Sequence, residues 1–419
     1  MRQDSGQRDG SDGDAAGPAG GVIPEIAAQA QELAGWRRTL HAMPETAFEE
    51  RRTSAFVAEK LESFGLPVHR GLAGTGIVAT LKGRAGEGRE GEGFAIGLRA
   101  DMDALDIHEA TNLPWRSDTP GKMHACGHDG HMTMLLAAAR HLSRNPDFKG
   151  TVHFIFQPAE ENEGGGKVMV DQGLFDLFPM QAVYGLHNWP NAPFGTFLGR
   201  PGAMFAAFDI FEVKVIGRGA HAAMPQRGID PVLAASHLVA QLQSIVSRSV
   251  SPQEAAVVTV TQIHGGDTWN VIPDEVVLRG TVRSFSREVR DLAEQRFRAI
   301  VEGVCAAQGA RAEIRYDRRY PSLVNHAREF GQSLAAARAT AGDRVVPDFE
   351  PIMAAEDFAY MLEAVPGAYL CLASGPGPNL HNAQYDFNDA LIPVGASYWV
   401  NLVGDVLAPS AQSDPGGPG

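Results

Sequence analysis

The chain has 419 residues, 44% hydrophobic and 21% charged, which is ordinary for a folded protein but too long for one hydrophobic core, so two domains are expected. Its 36 basic and 50 acidic side chains leave a net charge of −14, which argues against nucleic acid or an anionic membrane as the main partner, since both demand a basic face. The three cysteines, Cys126, Cys305 and Cys371, make no disulfide framework and suggest a reducing compartment, and no apolar run approaches the ~20 residues that cross a bilayer.

Residues 1–21 are rich in Gly, Asp, Ser and Gln and lack the basic and apolar regions of a signal peptide. They read as a disordered tail, as do residues 409–419, and a cytoplasmic protein is expected. From residue 23 the pattern turns helical, with Ile26, Leu33, Trp36 and Leu40 on one face. A second helix over about 52–64 is predicted to end at Gly65. Short apolar runs at 76–81, 94–98, 152–156 and 182–186 read as buried strands. Among them lies a helix over about 128–141, apolar through Met132, Leu135, Leu136 and Ala139. Strand alternating with helix predicts an α/β domain on a largely parallel sheet.

Three of these strands lead straight into polar groups: 94–98 into Arg99, Asp101 and Asp103, 152–156 into Gln157, Glu160 and Glu161, and 182–186 into His187. The C-terminal edge of an open α/β sheet is where sites are built. A solvated loop explains any one of these runs, but explains all three poorly. Ahead of the 128–141 helix stands His124-Ala125-Cys126-Gly127-His128-Asp129-Gly130-His131. Its thiol and imidazoles suit a borderline-soft cation such as zinc, manganese or cobalt; the plain alternative is a buried cysteine beside surface histidines. In Glu160-Glu161, adjacent side chains on an extended segment point apart, so one carboxylate can hold metal while the other takes a proton from the attacking water. A charged helix start is the plain alternative there.

The rhythm changes near Gly202. A long alternating strand is predicted over 206–216, and Asp230-Pro231 starts a helix with Val232, Ala235, Leu238, Val239, Leu242, Ile245 and Val246 at helical spacing. Strands over 255–261 and 275–283, a helix over about 287–307 and a strand over 312–316 complete a β-α-β-β-α-β order, that of a ferredoxin-like unit. It reads as an insertion, because the earlier kind of signal resumes after about 320. His221 among small residues, Arg283 at a strand end and His381 in a polar loop each have a surface reading when taken alone. A guanidinium such as that of Arg283 can pair bidentately with a substrate carboxylate.

Together, the segments 99–105 (RADMDAL), 123–131 (MHACGHDGH), 156–161 (FQPAEE), 185–187 (GLH), 219–225 (GAHAAMP), 270–274 (NVIPD), 280–283 (GTVR), 356–358 (EDF) and 380–388 (LHNAQYDFN) resemble the M20 metallopeptidase family. The likeness is to its aminoacylase and amidohydrolase branch: hippurate hydrolase-like enzymes, N-acyl-amino-acid amidohydrolases and plant auxin-conjugate hydrolases. It runs from about 23 to 406. It implies a zinc-peptidase-like catalytic domain over 22–200 and 320–408, with an inserted ferredoxin-like dimerisation or lid domain over 201–319. It further implies two divalent ions (zinc, manganese, cobalt or nickel) on Cys126, His128, Glu161, His187 and His381. Glu160 is then the general base and later the acid, and Asp103 orients a ligand histidine from behind. His124 and His131 are not ligands on this likeness. His221 is expected to steady the oxyanion in a partner subunit's site, within a homodimer or homotetramer. Asn270 and Arg283 fall where the family meets the substrate's carboxylate end.

The implied reaction is hydrolysis of the amide bond of a small N-acyl amino acid. A dipeptidase or a deacetylase of acetylated diamino acids is the alternative on the same scaffold. A non-catalytic binding protein would lack a ligand or the base, and here every such position is filled. The pattern departs at Asp106, where the family usually has proline, followed by Ile107-His108-Glu109, and at Ala355, where many relatives carry glycine or serine. These departures bear on substrate preference and remove no ligand.

Overall fold

The computed structural model describes residues 21–84, 94–161 and 163–408. Apart from Gly21, the tails expected at 1–21 and 409–419 lie outside the described residues.

The predicted apolar runs become the middle of an eight-stranded sheet. Thr151–Gln157, Ala95–Asp101, Ala182–Pro190 and Gly367–Gly375 lie side by side in that order and run parallel. Antiparallel strands extend both margins: Gly76–Lys82 and Val68–Leu72 on one side, Phe197–Leu198 on the other, with Val345–Val346 at that edge. The sheet is therefore parallel at its centre and mixed outside it. Every residue of Ala95–Asp101 is buried, as a strand must be when helices cover both faces. One face carries Ala30–Ala42, Arg51–Ser63, His128–Arg144, Ala327–Ala341 and Leu391–Val406. The shorter Gly165–Asp171 and Ala359–Ala364 pack on the other.

The first predicted helix is broken in two, Pro24–Ala27 and Ala30–Ala42, yet Ile26, Leu33, Trp36 and Leu40 are all buried as their spacing requires. The next, Arg51–Ser63, is followed by Gly65 at φ +79, the left-handed conformation that ends helices. His128–Arg144 is buried nearly all round, which marks a core helix rather than an amphipathic surface one.

A second, wholly antiparallel sheet holds four strands in the order Ala256–His264, Glu275–Ser284, Ala207–Ile216, Arg311–Tyr320. With helices Pro231–Leu242 and Arg287–Ala307 packed against it, this is the β-α-β-β-α-β order of the sequence. Asp230 caps its helix as predicted, its Oδ1 accepting the N–H groups of Val232 and Leu233 at 2.9 and 3.2 Å. Leu238, Leu242 and Phe297 are fully buried in this smaller core, and each such side chain contributes about 1.5–3 kcal/mol. The chain passes between the two units through Gly202–Phe205 and Leu323–Asn325, which pair with each other. Among the described residues no helix is long and apolar enough to cross a membrane.

Candidate functional site

The C-terminal ends of the parallel strands carry the polar groups inward. Asp101 closes Ala95–Asp101, Gln157 closes Thr151–Gln157, and His187 sits within Ala182–Pro190. Between them the Cys126 segment enters helix His128–Arg144 through Gly127, whose φ is +95. A β-carbon at Gly127 would lie 2.1 Å from Asn188 Oδ1. Only glycine meets both demands, the backbone and the space.

The structure brings Cys126, His128, Glu161, His187 and His381 together. Cys126 Sγ is 3.4 Å from His187 Nε2, His381 Nε2 is 3.1 Å from Glu161 Oε1, and His128 Nε2 is 4.0 Å from the same oxygen. Donor atoms of Cys126, Glu161 and His381 all lie within 4.8 Å of one another, as do those of His128, Glu160 and Glu161. Two of the histidines are held in the tautomer a cation needs. His187 Nδ1 donates to the Asn188 carbonyl at 2.7 Å and His128 Nδ1 to the Asp103 carbonyl at 2.8 Å, which leaves both Nε2 atoms to face the cluster. His128 Nε2 is buried with no hydrogen-bond partner among the described residues. Donor atoms of mixed S, N and O type, converging in one place, fit divalent ions.

Electrostatics agree with that fit. Burial raises the Cys126 thiol, and Glu161 and Glu160 raise it further. Burial would lower His128, but Asp101 and then Asp103 push it up to about 10. Negative charge here exceeds what the site's own basic groups balance, and a cation would redress it.

Asp103 meets His128 Nδ1 with both its backbone and its side-chain oxygen. Its backbone carbonyl, not its carboxylate, takes the short bond from His128, while its Oδ1 is 3.4 Å from His128 Nδ1 and its Oδ2 accepts the Glu161 N–H at 2.9 Å. The side chain braces the turn that carries Glu161. That turn is also not the extended segment read from sequence: residues 158–161 leave the strand with Ala159 at φ +54, and the Ala159 N–H donates to buried Glu50 at 2.9 Å. Glu160 is 7% exposed and lines the same cleft as Cys126, Glu161, His187 and His381. Burial, then the nearby Glu356 and Glu161, hold its carboxyl well above the usual carboxylate range. The Tyr320 hydroxyl donates to its carbonyl at 2.6 Å.

The other two histidines of the motif differ: His131 is hydrogen-bonded at both ring nitrogens, whereas neither ring nitrogen of His124 has a hydrogen-bond partner among the described residues. His131 Nδ1 lies 2.6 Å from Asp101, and its Nε2 lies 2.6 Å from Asn188 Oδ1 and 3.0 Å from the Asn188 backbone nitrogen, so both ring nitrogens already have protein partners. His124 is buried, and burial lowers its pKa to about 4.

The cleft has a volume of about 250 Å³, with Trp189, Phe205, Phe208 and Leu380 as apolar wall. Arg283 reaches it from the smaller unit, 4.0 Å over the Phe208 ring and donating to the Met353 carbonyl at 3.2 Å. No described carboxylate lies within ion-pair distance of Arg283. His221 and Asn270 are not in this cleft. Both are exposed at a small strand pair, His221 opposite Val271 and Asn270 in the turn just ahead of it, its carbonyl accepting the Ala222 N–H at 2.9 Å. A larger depression of about 640 Å³ lies beside Arg287 and Arg290, but Arg287 pairs with Glu363, Arg290 with Asp209, and Arg318 with Asp291 and Glu294. None of the candidate ligands lines it.

Sequence reasoning assigned no role to Arg99, which is buried and donates to Gln157, Asp101, Glu356 and Asp357. Its signal was an arginine inside an otherwise apolar strand. Trp189 and Tyr320 were also passed over; nothing in their local pattern marks them as cleft residues.

Comparison with known proteins gives concordant findings. Residues 97–405 match the model of peptidase family M20/M25/M40. The chain is 39% identical over 382 residues to the hippurate hydrolase of Campylobacter jejuni, spanning 91% of this chain and 98% of that one. It is 42% identical over 371 residues to the N-acetyl-L-cysteine deacetylase of Bacillus subtilis, spanning 88% and 86%. Its fold superposes on the Bacillus subtilis YXEP protein, a dinuclear metal-binding peptidase from the M20 family, with a TM-score of 0.79 and 34% identity over 91% of this chain and 99% of that one.

Proposed function

Since the chain belongs to peptidase family M20/M25/M40 and is a metal-dependent amidohydrolase, we propose that its substrates are N-acyl amino acids, cut at the amide bond into a carboxylic acid and a free amino acid. One observation carries the reading: a buried carboxyl, Glu160, and a guanidinium without a carboxylate partner, Arg283, line the same cleft. The first serves hydrolysis, and the second suits a substrate that ends in a carboxylate. The activities named for the hippurate and N-acetyl-L-cysteine relatives support it.

Cys126, His128, Glu161, His187 and His381 would hold two first-row divalent ions, which when bound polarise an acyl carbonyl and make water nucleophilic near neutral pH. Glu160 takes a proton from the attacking water as its oxygen adds to the acyl carbon. The same carboxyl then carries that proton to the leaving nitrogen as the C–N bond breaks. Asp103 keeps Glu161 and His128 in place through the contacts above. Arg283 binds the carboxylate, with Asn270 assigned to the same end of the substrate once subunits pair.

His221 is proposed to act across a dimer, steadying the oxyanion in the neighbouring subunit's cleft. Its surroundings suit an interface: Trp269 is wholly exposed, and Ile263 and Val271 are 56% and 50% exposed. The test is a screen of hippurate, N-acetyl amino acids and dipeptides alongside metal analysis of the purified chain. Turnover of dipeptides with none of any N-acyl amino acid would overturn the substrate reading.

A further inference from the structure

Arg37 precedes the stretch that matches the family model, and the reaction above gives it no task. Its side chain is fully buried. Nε donates to Asp389 Oδ1 at 2.6 Å, and Nη1 donates to Asp386 Oδ1 at 2.8 Å and lies 3.5 Å from Asp129 Oδ2. Those carboxylates belong to the two segments that carry ligands. Asp129 directly follows His128 on its helix, and Asp386 and Asp389 lie beyond His381 along its loop. Trp115 adds to the loop end, its Nε1 donating to Asp386 Oδ1 at 3.2 Å while its ring lies 5.5 Å from the guanidinium carbon.

Burying a guanidinium is unfavourable unless its geometry is well satisfied, and apolar side chains would join helix to loop with less desolvation. What they could not do is fix two carboxylates relative to one another, because only a planar, rigid fork has that directionality. The His381 loop needs such bracing. His381 sits at φ +62, a backbone conformation unfavourable for a residue with a β-carbon, and its side chain is 52% exposed. Its own packing therefore does little to hold it, beyond the bond from its N–H to the Ala125 carbonyl at 2.8 Å.

We propose that Arg37 is a positioning residue of the metal centre: by donating to Asp386 and Asp389 while lying 3.5 Å from Asp129 it sets the spacing between the His381 loop and the His128 helix, and so the affinity for an ion that Cys126, Glu161 and His381 would hold. The proposal rests on the ligand set given under the proposed function. The test uses the full chain, freed of metal with a chelator and titrated with Co²⁺, followed by calorimetry and by the cobalt absorption bands.

The wild-type chain is expected to take two equivalents. In Arg37→Met, one equivalent should bind about 10–100-fold more weakly, the usual loss when groups that support metal ligands are removed, with a changed cobalt spectrum. Arg37→Lys should recover part of that affinity. Wild-type binding of both equivalents by Arg37→Met, even with a lowered melting temperature, overturns the proposal. If Arg37→Met does not fold, Asp386→Asn decides. Asp386 is 28% exposed, and its loss leaves Arg37 with Asp389 and Asp129. The same weakened equivalent supports the clamp, and unchanged affinity overturns it. A wild-type chain that binds fewer than two equivalents sinks the ligand set instead, and the clamp with it.

Discussion

Exchanging the Glu160 carboxylate for a carboxamide keeps the side-chain volume, so Glu160→Gln removes proton transfer while leaving every proposed ligand in place. Metal content should stay at the wild-type level while kcat falls by about 10²–10⁴-fold; near-normal turnover would rule out this base. Arg283→Gln should act on binding. Losing a hydrogen bond to a charged group removes about 1.5–3 kcal/mol, which is roughly 10–100-fold in kcat/KM, and most of it should appear in KM. An otherwise identical substrate with its carboxylate amidated should be cut equally well by both forms, and a persisting difference would show that Arg283 does something else. A thiol, imidazoles and carboxylates gathered near strand ends were legible as a cluster, but the choice of candidate ligands among them, His381 above all, came from the likeness to the M20 family. Arg99 was not, because its partners Glu356 and Asp357 lie 257 and 258 residues away. The part played by the Asp103 carbonyl was also out of reach, since every residue has a carbonyl and only the folded backbone says where it points.

Helix Ala30–Ala42 ties itself to the site's rear through His41, whose Nδ1 lies 2.8 Å from Asp129 Oδ2. Burial alone would lower the His41 pKa, but Asp129 and Glu109 raise it from 6.5 to about 9. A histidine whose pKa is higher folded than unfolded stabilises the protein fully below its unfolded value, and that stabilisation fades as pH rises through the folded one. In the chelator-treated chain, His41→Gln should therefore melt well below wild type at pH 6, with the gap narrowing towards pH 10; a constant gap would show that the imidazolium is not what stabilises. At this scale the elements themselves were readable. Periodicity gave the buried face of Ile26, Leu33, Trp36 and Leu40, and the capping chemistry of Asp230-Pro231 gave a helix start. The turn that presents Glu160 was not readable, because Ala159 at φ +54 is held by Glu50, whose hydrogen bond crosses 109 residues of sequence. A left-handed alanine has no local signature.

Whole subunits should complement one another if His221 serves a neighbouring cleft. Glu160→Gln chains and His221→Ala chains, each nearly inactive alone, should regain measurable activity when refolded together, because a mixed pair holds one cleft with both groups intact. Absence of recovery in demonstrably mixed assemblies would end the idea of a shared site. The order of elements in the smaller unit could be read from sequence, but beyond residue 320 no element of the larger unit was placed, and the antiparallel margins of its sheet could not be read, since pairing partners such as Phe197–Leu198 and Gly367–Gly375 are far apart in the chain. The pairing of Gly202–Phe205 with Leu323–Asn325 has a consequence of its own. Departure and return lie side by side, so a two-residue turn from Phe205 to Leu323 would make an ordinary hairpin and bypass the smaller unit without disturbing the larger sheet. Such a shortened chain should still bind Co²⁺, because all its proposed ligands remain, and should no longer hydrolyse amides, because Arg283 and His221 leave with the excised piece. Gripping the ions and choosing what they act on thus fall to different lengths of polypeptide, and a graft at one junction could exchange the second while sparing the first.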